Sequence, residues 1–238
     1  DEDGDSSGGG SGSKPKFSVE EFLSLFDGSV DSGKPNGRLV FFTTNTPDAL
    51  HHKVAVLAND QYEFCMSNPW NRDSSSEMDL WLTAAEPFLN RIIQSAEQRD
   101  HYYNPYIVSA ADRALPSPEL ISILLPGALN TREIVRGLAL LANRRIAEGR
   151  IDEAIRVSRV IHRIGRLSSV GGTLIEGLVG IAIDGIGFEL DNRLITTPSI
   201  SKASLNKLQS QLAKLPPISS LAEKIDLTER YTYLDATI

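Results

Sequence analysis

From about residue 60 onward, apolar residues recur every three or four positions, which is the spacing of one face of an α-helix. The clearest row follows Ser75 and Ser76, and Pro87 is expected to kink its helix. The row consists of Trp81, Ala85, Phe88, Leu89, Ile92, Ile93 and Ala96. Because comparable rows continue almost to the end of the chain, the pattern predicts a mainly α fold of antiparallel helical hairpins or a helical bundle.

Residues that cap or break helices divide this region. Ser117 and Pro118 are predicted to open a helix, and Pro126 with Gly127 to interrupt it. The continuation over residues 131–148 is expected to end at Gly149, and a helix over residues 152–166 follows after a short turn. This pair predicts a tetratricopeptide-like hairpin. Three further helices are expected: one capped by Thr173 and Glu176, one from Ser199 or Ser201 to Leu215, and one after the prolines at 216 and 217.

The first part of the chain follows a different pattern. Residues 1–16 carry no aliphatic or aromatic side chain, so they are predicted to be a flexible loop or tail. Residues 17–59 are predicted to form a helix, a strand over residues 39–43 and a second helix that begins at Thr46 and Pro47. This strand is the only one expected, and residues 60–238 are predicted to be an all-helical domain.

Composition narrows the classes of function. The net charge of -7 argues against a general nucleic-acid binder, which needs a basic excess to neutralise phosphates. Cys65 is the single cysteine and the four histidines are scattered, so no metal site is expected from their spacing. The most apolar stretch is about 18 residues long and contains Glu176 and Asp184. It is therefore too short and too charged to span a membrane. No nucleic acid, metal or membrane span is therefore expected.

Four arginines recur at steps of three and four, so they share one helical face. They are Arg156, Arg159, Arg163 and Arg166, which we call the arginine stripe. Arginine is suited to contacts with carboxylates and phosphates, so the stripe is a candidate binding surface for a protein partner or an acidic, phosphorylated ligand. The alternative is a solvated face whose arginines pair with acidic residues of the same hairpin and of neighbouring helices.

The Gly-rich segment after residue 173 carries Glu176 and Asp184, eight residues apart. Buried carboxylates are costly without a cation, which Arg163, Arg166 or His162 could supply. His162, Glu176 and Asp184 are therefore a candidate buried polar cluster. An alternative is a metal-dependent helical hydrolase that uses the same three side chains as ligands or as acid and base.

Two segments before residue 51, "FSVEEFLSLFDGS" and "GRLVFFTTNTPDAL", resemble part of the core of AAA+ ATPases of the respiratory-complex assembly type. The resemblance implies that Asn45 senses the terminal phosphate and that Asp1 and Asp3 lie at the magnesium-binding strand. It thereby implies Mg-ATP as a cofactor. "GSVDSGKP" has the spacing of a phosphate loop, but Pro35 replaces the hydroxyl residue that binds magnesium. The implied enzyme is an ATPase fragment without its phosphate loop.

The rest of the chain, from about residue 60, is similar to uncharacterised helical proteins common in planctomycete bacteria. The similar segments include "NDQYEFCMSNPW", "LPGALNTREIVRGLAL" and "GGTLIEGLVGIAIDGIG". This resemblance implies no activity, and it would imply association with the bacterial envelope, while the sequence itself leaves the compartment unknown. The interpretation that fits most of the chain is a non-catalytic helical interaction or scaffold domain without a cofactor. The ATPase fragment and the metal-dependent hydrolase are the alternatives, so the question of an enzyme stays open.

Overall fold

The computed structural model describes residues 38–40, 59–71, 76–103, 106, 120 and 125–237. These residues form a helical bundle, which confirms the mainly α fold. In chain order the elements are β1 (Arg38–Val40), α1 (Asn59–Ser67), α2 (Ser76–Gln98), β2 (His101–Tyr103), α3 (Pro126–Ala147), α4 (Ile151–Ser169), α5 (Leu174–Thr196), α6 (Lys202–Leu212), α7 (Leu221–Lys224) and α8 (Arg230–Thr237). A π-helical turn over Ile225–Glu229 joins α7 to α8.

The two short strands form a parallel pair, with Arg38 opposite His101 and Val40 opposite Tyr103. β1 overlaps the predicted strand, whose later residues lie outside the described part of the chain. The expectation of a single strand is wrong, because β2 lies in the region predicted to be all helical. β2 contains a pair of tyrosines, a residue type that favours extended backbone.

The hairpin of α3 and α4 forms as its sequence suggests, with one difference. Helix α3 begins at Pro126, five residues before the predicted start at residue 131, and the proline lies in its first turn. The first turn tolerates proline because its N–H groups have no partner within the helix. Gly149 follows α3 with a φ of 73°, which confirms the predicted left-handed stop. The short connection to Ile151 places α4 antiparallel to α3.

Helix α4 lies at the centre of the bundle, where it packs against α2, α3, α5 and α6. Its closest neighbour is α5, because both helices carry glycine where they cross. A Cβ atom added at Gly180 would lie only 2.6 Å from the carbonyl oxygen of Gly165. The core is one hydrophobic cluster. Its largest fully buried apolar side chains are Leu82, Ile93, Leu138, Leu141, Ile155, Ile161, Ile164, Ile183, Leu190 and Leu194.

Candidate functional site

The first half of the arginine stripe is bound to helix α2. The Arg156 guanidinium donates to the Glu97 carboxylate in a bidentate pair, with Nε–Oε1 and Nη2–Oε2 distances of 2.9 and 2.6 Å. Arg159 donates to the same carboxylate. Hydrogen bonds from Arg156, together with the two positive charges, hold the pKa of Glu97 below its usual value. These arginines therefore already hold an acidic ligand supplied by the chain itself.

The second half of the stripe binds backbone carbonyls. Arg163 donates to the carbonyl oxygens of Ala96 and Arg99, both at 2.7 Å, and to the Asp100 carboxylate at 2.8 Å. Helix α2 has no basic residue in its own last turn, so Arg163 supplies the cation that the C-terminal end of a helix favours. Arg166 donates to the carbonyl oxygen of Pro216 at 2.6 Å. The stripe thus connects α4 to α2 and to the segment after α6.

A buried polar cluster lies between α4 and α5. His162 is 1% exposed, and its two ring nitrogens contact two carboxylates: Nδ1 is 2.6 Å from Asp184 Oδ1, and Nε2 is 3.0 Å from Asp191 Oδ2. The Ser158 hydroxyl donates to the second oxygen of Asp191. The Arg166 guanidinium lies 3.6 Å from the second oxygen of Asp184. We call these five residues the α4–α5 polar cluster.

The two carboxylates determine the charge of His162. Burial acts to lower the pKa of the imidazole and is the largest single influence, but the hydrogen bonds and charges of Asp184 and Asp191 together outweigh it. The result is a pKa raised from 6.5 to about 9, so the ring is an imidazolium at neutral pH. The cluster then contains two cations and two anions, which is the balance that a buried ionic group needs.

The sequence of each helix makes room for this cluster. A Cβ atom at Gly187 would lie 2.7 Å from the His162 ring, so only glycine leaves space for the imidazole there. Phe188 contacts the ring edge-on, with 4.9 Å between the ring centroids. The imidazole therefore has a fixed position as well as fixed partners.

Glu176 is buried but does not join the α4–α5 polar cluster. Its side chain accepts from the Thr173 backbone N–H at 3.0 Å, and the Thr173 hydroxyl accepts from the Glu176 backbone, which confirms the predicted capping box of α5. The Tyr106 hydroxyl also donates to Glu176, at 2.9 Å. The structure therefore brings His162 and Asp184 together and gives Glu176 a role at the start of the helix.

The polar cluster contains serine, histidine and aspartate, but its geometry differs from that of a catalytic triad. The Ser158 hydroxyl is hydrogen-bonded to Asp191, whereas a nucleophile must be bonded to the imidazole that removes its proton. Both ring nitrogens of His162 are occupied by carboxylates, and the histidine is buried. Across the described residues, no group of three or more His, Cys, Asp or Glu side chains is arranged to hold a metal ion. The arrangement holds two helices together and offers no bond-making group to a substrate.

The opposite side of α5 carries an apolar surface. Ile175, Leu178, Ile181, Phe188 and Ile195 are between 39% and 58% exposed, and they surround the small exposed residues Ala182 and Gly185. We call this surface the apolar face of α5. The buried side of the same helix carries the acidic residues Glu176, Asp184 and Asp191. Ile183, Leu190 and Leu194 are buried beside them, so α5 carries apolar side chains on both sides, unlike an ordinary surface helix, whose exposed side is polar.

Sequence reasoning missed Ser158, Asp191 and the apolar face of α5. Asp191 follows Asp184 by seven residues and Ser158 precedes His162 by four, so helical spacing alone places each pair on one face. Helical spacing does not show which apolar side of α5 is exposed, because the helix carries apolar residues on both sides.

The residues implied by the ATPase resemblance, Asp1, Asp3 and Asn45, lie outside the described part of the chain. No helix within the described ranges is both long and apolar enough to cross a membrane. No protein-family model, curated protein or solved structure matches the chain.

Proposed function

We propose that this chain is a non-catalytic helical interaction domain that binds another protein through the apolar face of α5. The observation that carries the proposal is the exposed side of α5, which presents five large apolar side chains to solvent, while three acidic residues of the same helix are buried. An apolar row on a solvent-exposed helix is typical of a surface that a partner covers.

The size of the face supports this assignment. Each of the five large side chains leaves roughly 90 Å² exposed, so together they present about 450 Å² of apolar surface. A contiguous patch of this size lies in the range that is often functional in monomeric proteins. Its burial would contribute on the order of 10 kcal/mol before the cost of association is subtracted.

The charges indicate the kind of partner. Glu189 is the one charged residue among the exposed positions of α5, so the face favours an apolar surface, such as one side of an amphipathic helix. An acidic ligand at the arginine stripe would have to displace Glu97 from Arg156 and Arg159. This competition is the reason for placing the binding surface on α5 and not on the stripe.

The proposal is tested by site-specific photocross-linking in the cells that produce the protein. Benzoylphenylalanine placed at Phe188 should capture one defined protein, while the same probe at Gln94, an exposed position on α2, should not. The captured protein is identified by mass spectrometry, purified and titrated against the wild-type chain and the Leu178→Gln variant. Saturable binding that Leu178→Gln weakens by tenfold or more supports the proposal.

Two outcomes would overturn it. One is that position 188 captures no protein, or captures the same proteins as position 94. The other is that Leu178→Gln binds the captured protein as tightly as wild type while its circular dichroism and thermal unfolding are unchanged.

A further inference from the structure

We propose that residues 17–27 of this chain dock on the apolar face of α5 as an antiparallel helix and compete there with the protein partner. This inference rests on the proposed function and states how that binding surface is regulated. Residues 17–27, which we call the N-terminal segment, lie outside the described part of the chain. Three observations connect the segment to the face: the period of the two apolar rows, their charges and the path of the chain.

The exposed side of α5 carries a row with the period of a coiled-coil seam. Steps of four and three residues alternate along the row, and each member is at least partly exposed. The row consists of Leu174, Leu178, Ile181, Gly185, Phe188, Asn192 and Ile195. A row of this kind accepts the side chains of a second helix. A Cβ atom added at Gly185 would meet nothing within 4 Å, so this position leaves room for a large side chain.

The sequence of the N-terminal segment predicts a short helix with a matching row. Ser18 and Glu21 have the spacing of a capping box, which predicts the start of the helix. The apolar side chains that share one face are Val19, Phe22, Leu23 and Phe26. Steps of three and four residues lead from Val19 to Phe22 and on to Phe26, which is the period of the row on α5.

The two rows fit in one antiparallel register. The register pairs Phe22 with Gly185, Phe26 with Ile181 and Val19 with Phe188. The largest side chain of the segment therefore lies over the one position of the row that has no side chain. The docked segment would cover the middle of the apolar face, where the half-exposed Ile181 and Phe188 flank the glycine.

Charge favours this antiparallel orientation over a parallel one. In the proposed register the predicted cap Ser18 is level with Glu189, and Lys16 precedes the cap by two residues. The Glu189 carboxylate would then lie beside the N-terminal end of the docked helix and within side-chain reach of a lysine, and both contacts are favourable. A parallel helix would place Asp27 next to Glu189, where the two carboxylates would repel each other.

The path of the chain brings the segment to the start of α5. Strand β1 begins at Arg38 and pairs with β2, and Tyr106, three residues after β2, donates to Glu176 in the first turn of α5. Residues 28–37, which include three glycines and two serines, can span up to about 33 Å, roughly the length of the 23-residue α5. The end of the segment is nearer to β1 than its beginning, which also favours the antiparallel orientation.

The connection makes a weak contact effective. A tether of about ten residues gives an effective concentration on the order of millimolar. A helix of three turns buries few side chains, so we expect a dissociation constant on the order of 0.1 mM for the separate segment. The docked form should then outnumber the open form about tenfold, and a partner that needs the same face should bind about tenfold more weakly.

The first test is an internal photocross-link in the purified full chain. With benzoylphenylalanine at Phe188 in dilute solution, the main product should be a monomer in which position 188 is joined to the N-terminal segment. Peptide mass spectrometry identifies the joined residues. Phe22→Asp should remove this product, because it places a charge on the apolar row. Phe17→Asp is the matched control, since it makes the same change outside the row and should keep the product.

The second test measures whether the face is blocked. A fluorescent synthetic peptide of residues 14–27 should bind the Phe22→Asp chain about tenfold more tightly than it binds wild type or Phe17→Asp, as measured by fluorescence anisotropy. Circular dichroism establishes that both variants are folded.

The outcomes separate this inference from the proposed function. The docked segment is overturned by a cross-link from position 188 to another part of the chain or to a second copy, by the absence of any internal product, by equal products in Phe22→Asp and Phe17→Asp, or by equal peptide affinities. Capture of another protein in cells would then leave the proposed function standing. If the internal product forms but position 188 captures no protein in cells, even in the Phe22→Asp chain, the docking holds, while the proposed function and the competition are overturned.

Discussion

Replacing His162 with glutamine tests whether a charged imidazole holds α4 to α5. The folded chain raises the pKa of His162 from 6.5 to about 9. Since one pKa unit corresponds to about 1.4 kcal/mol, the imidazolium adds roughly 3 kcal/mol to the free energy of unfolding. This contribution is complete below pH 6.5, where folded and unfolded chains both carry the proton, and it is lost as the pH rises through 9.

The assay is urea unfolding followed by circular dichroism at about pH 6 and about pH 9.5, on either side of this window. Wild type should lose roughly 3 kcal/mol of unfolding free energy between the two conditions. His162→Gln should be about 3–5 kcal/mol less stable than wild type at the lower pH, because Asp191 loses its cation and Asp184 keeps only Arg166, and it should lack this pH dependence. The exposed His101 gives a matched control, and His101→Gln should keep the wild-type dependence.

The charged imidazole does not hold α4 to α5 if wild type is equally stable at both pH values, or if His162→Gln retains the full wild-type loss of unfolding free energy. Either result would mean that the imidazole is not the group that gains a proton on folding. An NMR titration of the His162 ring gives a direct reading, with an expected midpoint of about 9. A midpoint near 6.5 would contradict the proposed ion cluster even if the unfolding data agreed.

Four further substitutions test the contacts of α4 and α5. Gly180→Ala should destabilise the fold by about 1–3 kcal/mol, since the new methyl group would lie too close to a backbone carbonyl of α4. Gly185→Ala, on the open side of the same helix, should instead be neutral or stabilise the monomer by up to about 1 kcal/mol in dilute urea unfolding. Thr173→Ala removes the N-cap of α5 and should cost about 1 kcal/mol in the same assay. Glu97→Gln should cost no more than about 1 kcal/mol, because Arg156 is half-exposed, and added salt should reduce the difference from wild type.

Local signals in the sequence predict the helices well where a few neighbouring residues decide the structure. The Thr173 and Glu176 capping box and the left-handed Gly149 depend only on residues within one helical turn, and both form as expected. Pro126 shows the limit of such signals. The first turn of a helix tolerates proline, so the proline itself did not show whether the helix begins there or at residue 131, and α3 begins at Pro126.

The orientation of α5 could not be predicted from periodicity. In an amphipathic helix, the side that carries the apolar residues is predicted to be buried. Helix α5 has isoleucine, leucine and phenylalanine on its exposed side and isoleucine and leucine on its buried side, so this rule does not apply. Its orientation depends on long-range partners, above all the position of His162 on α4. Pairing of Asp184 with His162 could be considered from the sequence, since the charge of a buried carboxylate needs a cation. The choice among His162, Arg163 and Arg166 required the geometry of the helix crossing.

The polar cluster also determines how α5 is placed along α4. Moving α5 by one helical turn, about 5.4 Å, would take Asp184 and Asp191 away from His162 and leave buried carboxylates without their cation. Breaking such a pair costs about 3–5 kcal/mol, whereas an apolar interface tolerates the exchange of one aliphatic contact for another at a lower cost. We infer that the cluster fixes both the register and the rotation of α5. The exposed row from Ile175 to Ile195 is then a direct consequence of the buried ions, because the side of the helix that carries the acidic residues cannot face outward while they pair with His162.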